Sequence, residues 1–188
     1  TLNGNLRDNA LGMNIANNTG GTVSFTGPSI SLATVADVTA LTLVNNTGAS
    51  ILFGPAGGGN GLDILASGTG TGISFTGGGT LSVTGSGNTV QTATGWILNL
   101  ANGNVGAAGV TFASLGSAGA VGGTAINISN LDGNSFNGGT VNIAGTSGAG
   151  ADGIFYGGGS STNMNFGSVT IANTGDEGIE INGAGNGT

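Results

Sequence analysis

Cysteine, histidine and lysine are absent from the 188-residue chain, and Arg7 is its only basic side chain. Without cysteine there is neither a disulfide framework nor thiol chemistry. Without histidine, cysteine or lysine, no Ser-His-Asp triad, Cys-His pair or zinc constellation can be assembled. One arginine cannot neutralise a run of phosphates, so nucleic acid is not expected as a partner. The eight acidic residues leave a formal net charge of −7, spread along the chain as thin, mostly isolated charges. No apolar run approaches the ~18–20 residues of a membrane-spanning helix, so no membrane insertion by this segment is expected. The opening TLNGNLRDNA is not a signal peptide, and the first residue is not methionine. A processed or excised part of something longer is the expectation.

Proline is nearly missing as well, with 2 residues against 43 glycines. Glycine and proline together approach the roughly 25–30% at which low-complexity disorder becomes a fair reading. Disordered chains, however, combine high charge with low hydrophobicity, whereas here 5% of residues are charged and 37% hydrophobic. Such a chain folds or aggregates.

What the chain does have is repetition. GGTVSFTG (20–27) returns as GASILFGP (48–55), GTGISFTG (70–77) and AAGVTFAS (107–114). A first series of apolar residues two apart runs Met13/Ile15, Leu41/Leu43, Leu62/Ile64, Leu98/Leu100, Ile126/Ile128, Ile154/Tyr156 and Ile179/Ile181, with steps of 28, 21, 36, 28, 28 and 25 residues. A second follows it: Val23/Phe25, Ile51/Phe53, Ile73/Phe75, Val110/Phe112, Val141/Ile143 and Val169/Ile171. A patchier third contains Ile30/Leu32, Leu81/Val83 and Leu115. Period-two alternation puts one set of side chains inside and the other outside. Segments that resemble their counterparts one repeat later, rather than the adjacent strand, predict parallel stacking at ~4.8 Å. The expected fold is all-β: a β-solenoid, a right-handed parallel β-helix of about seven coils of irregular length, ~30 Å long. Residues 1–188 are read as a single β-helix domain, either a segment of a longer β-helix or a subunit of a stacking fibre. Both ends break off in mid-pattern, and unpaired coil ends invite further strand pairing. A flexible glycine-rich linker and a β-sandwich are the competing folds, and neither accounts for series that advance together. Phe25, Phe53, Phe75 and Phe112 are expected to stack as one internal ladder.

The outward columns are then Asn14, Thr42, Asp63, Asn99, Asn127, Phe155 and Glu180 in one series and Ser24, Leu52, Ser74, Thr111, Asn142 and Thr170 in the other. A solvated polar face explains most of them; Phe155 and Leu52 are the points that would want a partner. GGNGLDILA (58–66) fits the calcium nonapeptide G-G-x-G-x-D-x-U-x. Calcium rolls need tandem copies, and the nearest echoes, GAGADGIFY (148–156) and GAGNGT (183–188), are remote, so Asp63 is read as an outward strand residue. Pectate-type elimination needs a cationic base, for which Arg7 alone is available. Glycoside hydrolysis needs two carboxyl groups ~5–9.5 Å apart; Asp176 and Glu177 in NTGDEG are the only adjacent acids, and a turn would leave them solvated. A flat threonine array for ice binding is not present. Sequons at Asn17, Asn45, Asn127 and Asn186 are incidental in a chain this rich in Asn, Ser and Thr. No catalytic, cofactor-binding or metal-ligating residue is assigned.

The stretch TATGWILNLANGNVGAAGVTFASLGSAGAVGGTAINISN (92–130) resembles the repeats of very large Gly-, Asn- and Thr-rich bacterial surface proteins. These are similar in style to autotransporter passengers and filamentous haemagglutinin-like adhesins. That resemblance covers the whole chain in character and about forty residues in detail. It implies export, an extracellular or cell-surface location, and a non-enzymatic role as stalk, adhesin or filament element, with no site residue carried over. The partners it implies are further coils of the same protein, end-to-end self-association, and host or matrix glycans. The alternative class is a carbohydrate-active β-helix, such as a polysaccharide lyase, a glycosidase or a phage tailspike fragment.

Overall fold

The computed structural model describes residues 1–55 and 61–183. β-Branched and aliphatic residues two apart, interrupted by glycine or asparagine before a helix could propagate, favour extended backbone. Every regular element among the described residues is a strand. Three faces wind round one apolar core. The first stacks β1 (Leu6–Asp8), β4 (Ser29–Ala33), β7 (Gly61–Ala66), β10 (Thr89–Thr92), β12 (Ser114–Ser117), β16 (Thr140–Ile143) and β20 (Ser168–Ile171). The second stacks β2 (Met13–Ala16), β5 (Leu41–Val44), β8 (Ile73–Thr76), β11 (Leu98–Thr111), β14 (Ile126–Gly133), β18 (Ile154–Gly157) and β21 (Ile179–Asn182). The third stacks β3 (Thr22–Phe25), β6 (Ser50–Phe53), β9 (Thr80–Val83), the far half of β11, β15 (Phe136–Asn137) and β19 (Met164–Asn165). A two-stranded pair, β13 (Val121–Gly122) with β17 (Thr146–Ser147), closes a further side at two levels.

Each pairing along these faces is parallel, so the chain is a β-solenoid. On the first face Leu6 pairs with Ile30, Ile30 with Leu62, Ile64 with Val90, Val90 with Leu115, Leu115 with Val141 and Val141 with Val169, so a turn takes between 24 and 32 residues. Seven stacked strands enclose about six turns, slightly fewer than the seven expected. Inside lie Ile30, Leu32, Leu62, Ile64, Leu41, Leu43, Ile73, Leu98, Leu100, Ile126 and Ile128, all essentially inaccessible. Each such side chain contributes roughly 1.5–3 kcal/mol by leaving water.

Three continuous faces, where the sequence offered two series and a patchier third, correct the expected register. Leu62/Ile64 belongs to the first face with Ile30/Leu32, whereas Ile73/Phe75 follows Leu41/Leu43 on the second. Val141/Ile143 and Val169/Ile171 continue the first face, and Leu81/Val83 follows Ile51/Phe53 on the third. The four-ring ladder also dissolves. Phe25 and Phe53 stack at 5.0 Å with planes 6° apart, but the next residue in that column is Val83. Phe75 sits one face away between Leu43 and Leu100. Its ring fills the space where a Cβ on Gly103 would come within 2.4 Å of it, so β11 needs a glycine there. Phe112 instead meets Phe136 at 6.0 Å in a tilted pair, and Phe136 meets Phe166 edge-on at 6.1 Å. The stack is held by main-chain pairing along all three faces rather than by one aromatic column.

One corner recurs at every level. The fifth residue counted from the start of each second-face strand is Asn17, Asn45, Gly77, Asn102, Asn130, Gly158 and Gly183 in turn, and all seven have positive φ. Only glycine takes this left-handed conformation freely, and asparagine is the best of the rest. Where asparagines occupy successive levels their amides meet: Asn130 Nδ2 donates to Asn102 Oδ1 at 2.9 Å, and Asn45 Nδ2 to Asn17 Oδ1 at 3.5 Å. Asn17 and Asn45, read from the sequence as incidental sequons, are thus corner residues. Asn186 lies outside the described residues.

Candidate functional site

The outward columns follow the corrected register. On the second face Asn14, Thr42, Ser74, Asn99, Asn127, Phe155 and Glu180 succeed one another, with Ser74 where Asp63 had been expected. Asn127 Nδ2 donates to Asn99 Oδ1 at 2.8 Å, so part of this column is tied along the stack. Phe155 and Leu52 are both only partly exposed, and each stands as a single apolar residue in a polar column, which needs no ligand to explain it. Leu65, outward on β7, is 53% exposed, and sequence reasoning did not single it out. On the third face Asn165 Nδ2 donates to Asn137 Oδ1 at 3.2 Å.

Asp63 is an exposed, outward residue of β7 between buried Leu62 and Ile64, and its carboxylate accepts a hydrogen bond from Thr89 Oγ1 one level on. Residues 58–60 of the nonapeptide match, and 184–188 of its last echo, lie outside the described residues. Arg7 points outward from β1, at the opposite end of the stack from Asp176 and Glu177. No base and acid pair is brought together by the fold among the described residues.

Asp176 and Glu177 do acquire a partner. The chain between β17 and β18 carries Asp152, and the chain between β20 and β21 carries the adjacent acids one turn later. Asp176 N donates to Ala151 O at 3.1 Å and Gly153 N donates to Glu177 O at 3.0 Å, so the two segments lie side by side. A carboxylate oxygen from each of Asp152, Asp176 and Glu177 can be chosen so that all lie within 4.8 Å of one another. Asp176 and Glu177 are exposed as the sequence suggests, but Asp152 is 3% exposed. Its Oδ1 is buried and has no hydrogen-bond partner among the described residues. No protein family, curated protein or solved structure matches the chain. The chemistry of this cluster is therefore argued from its own geometry.

Burial, reinforced by the negative charge of Glu180, pushes the Asp152 carboxyl above the usual carboxylate range. Glu177 is raised too, first through its hydrogen bond with Asp176 and then through that neighbour's charge. Other acids are satisfied by donors. Asp8 Oδ2 accepts from Gly12 N at 2.6 Å, Asp132 Oδ1 from Ser161 Oγ at 2.6 Å, and Asp37 Oδ1 from Thr69 N at 2.8 Å, a bond that lowers the Asp37 pKa. The trio can hold protons or a cation, and it cannot be neutralised by Arg7 at the far end. Sequence reasoning met Asp152 only as the acid of a remote calcium echo. The missed signal is spacing, because 152 and 176–177 differ by about one turn of this solenoid, as Ile154 and Ile179 do.

A second feature lies beside it. Ile154, Tyr156, Met164, Phe166, Ile179 and Ile181 line an apolar depression of about 250 Å³. It lies at the end of the stack, beside β19 and β21, the last strands of their faces, with Ile154 and Tyr156 of β18 in its lining.

Proposed function

We propose that the chain is a non-enzymatic rod of the cell exterior, a stalk, adhesin or filament element in the manner of Gly-, Asn- and Thr-rich bacterial surface β-helices. The observation that carries this reading is the last described level. Ile179 and Ile181 occupy inward positions yet are 51% and 72% exposed, and with the apolar depression they offer an unfinished core to another coil. A second copy stacked head to tail would continue each second-face column, Met13 following Ile179 and Ile15 following Ile181. Charge favours the same order, since Arg7 lies on the first level while Asp176, Glu177 and Glu180 lie on the last. Contacts of this kind are heterologous and grow into open fibres. The hydroxyls and amides of the outward columns are suited to contact with host or matrix glycans along the side of the rod.

Electron microscopy and sedimentation of the purified chain test this. End-to-end fibres or oligomers are expected, and Ile179→Asp with Ile181→Asp should abolish them. Short monodisperse particles at all concentrations would reject self-assembly. Release of reducing or unsaturated sugars that depends on Asp176 or Glu177 would replace the structural reading with the carbohydrate-active one.

A further inference from the structure

We infer that Asp152, Asp176 and Glu177 form a divalent-cation site, suited to calcium, that ties the last described level of the stack to the level before it. The geometry is that of a collecting point for a hard cation: three carboxylates from two successive turns, with ligand oxygens within 4.8 Å of one another. Proximity of acids alone would mean little. Here one of them, Asp152, is 3% exposed, and its buried Oδ1 has no hydrogen-bond partner among the described residues. An unpartnered buried carboxylate oxygen is costly unless a proton or a cation satisfies it. The chain has a single basic side chain, on the first strand of a seven-strand face whose last strand, β20, immediately precedes the segment of Asp176 and Glu177. No guanidinium or ammonium of this molecule can therefore fill the role.

The donor set selects the ion. Carboxylate oxygens without nitrogen or sulfur favour calcium or magnesium over transition metals. An irregular trio on two loops suits calcium, which accepts 6–8 oxygens in loose geometry, better than magnesium with its strict octahedron. Water would complete the shell. The proposal does not depend on the rod reading, because the cluster lies on segments held together by their own main-chain bonds, Gly153 N to Glu177 O and Ile154 N to Gly178 O, both 3.0 Å.

Titrating calcium chloride into the chelator-treated full chain by calorimetry, with magnesium chloride in parallel, tests the site. One equivalent of calcium is expected, with a Kd on the order of 10⁻⁴–10⁻³ M, the weak end of the range for oxygen-ligand calcium sites. Asp152→Asn and Glu177→Gln should each weaken it at least ~10-fold, the size of loss that follows removal of one supporting group. Asp63→Asn should leave it unchanged. At ten times Kd, hydrogen exchange at the Gly153 and Ile154 amides should slow about tenfold where it requires release of the last level. Absence of a saturable calcium site up to about 10 mM, well above the weakest affinities known for such modules, would overturn the proposal without any variant needing to fold. Binding that survives Asp152→Asn, or is lost in Asp63→Asn, would overturn it equally.

Discussion

Two levels of this molecule carry the same apolar spacing and have opposite fates. On the second face Ile126 and Ile128 of β14 are fully buried, whereas Ile179 and Ile181 of β21 are 51% and 72% exposed. On the first face Val141 is 1% exposed and Val169 36%. Alternation decides only which way a side chain points. Burial comes from having a level on both sides, so stability in such a stack belongs to interfaces rather than to single coils. The inner levels have two interfaces each, and the last described one has a single interface among the described residues.

The largest expected effect follows directly. Ile128→Ala should cost about 2–5 kcal/mol, the range for a core isoleucine that leaves a cavity, while Ile181→Ala should stay within about 0.5 kcal/mol, as for exposed substitutions. Urea midpoints of the two variants measure the difference; equal losses would break the comparison. A middle-sized effect is expected at Asn88, which is fully buried between β7 and β12. Its Nδ2 donates to Thr84 O, Gly85 O and Thr111 O, and its Oδ1 accepts from Leu62 N at 2.8 Å. Asn88→Ala strands these main-chain groups and should cost about 1–3 kcal/mol for each one left dry; Asn88→Asp keeps the volume and the acceptor but sets a buried carboxylate oxygen against three carbonyls and should cost at least as much. Thermal unfolding of the pair distinguishes inter-level hydrogen bonding from simple packing. The smallest effect concerns the exposed tie from Asp37 to Thr69. Because the Asp37 pKa is depressed in the folded chain, its contribution is present above the ordinary carboxylate value and is lost as pH falls through the depressed one. Faster exchange of the Thr69 amide at acid pH, after correction for intrinsic rates, is expected, and Asp37→Asn should remove that acid-linked change.

How much of this could be read from residue order alone is instructive. The parallel solenoid, the inward roles of Leu41/Leu43 and Ile126/Ile128, and the outward position of Asp63 all follow from period-two spacing. The assignment of segments to faces does not, because all three faces use the same apolar-x-apolar signature and the turns vary from 24 to 32 residues. For that reason Ile73/Phe75 stands where Leu62/Ile64 was expected, Leu62/Ile64 joins Ile30/Leu32 and Leu81/Val83 stands where Ile73/Phe75 was expected, and the four-phenylalanine ladder fell with them. A sharper marker was present. MNIAN, LTLVN, ISFTG, LNLAN, INISN, IFYGG and IEING each end on the corner that needs positive φ. Anchoring the repeat on that final Asn or Gly identifies the second face at all seven levels. The acidic trio was harder, since Asp152 becomes a neighbour of Asp176 and Glu177 only once the length of that turn is known.

That invariant corner also bears on how such a protein changes length. Between one left-handed Asn or Gly and the next, the circuit accommodates inserted residues as long as the chain returns to the same position. In-frame duplication of any corner-to-corner stretch would add a storey whose ceiling and floor match its neighbours, leaving all others undisturbed. A gene built on this rule can be extended or trimmed in whole storeys, and the height of the structure becomes a heritable dimension separate from its chemistry.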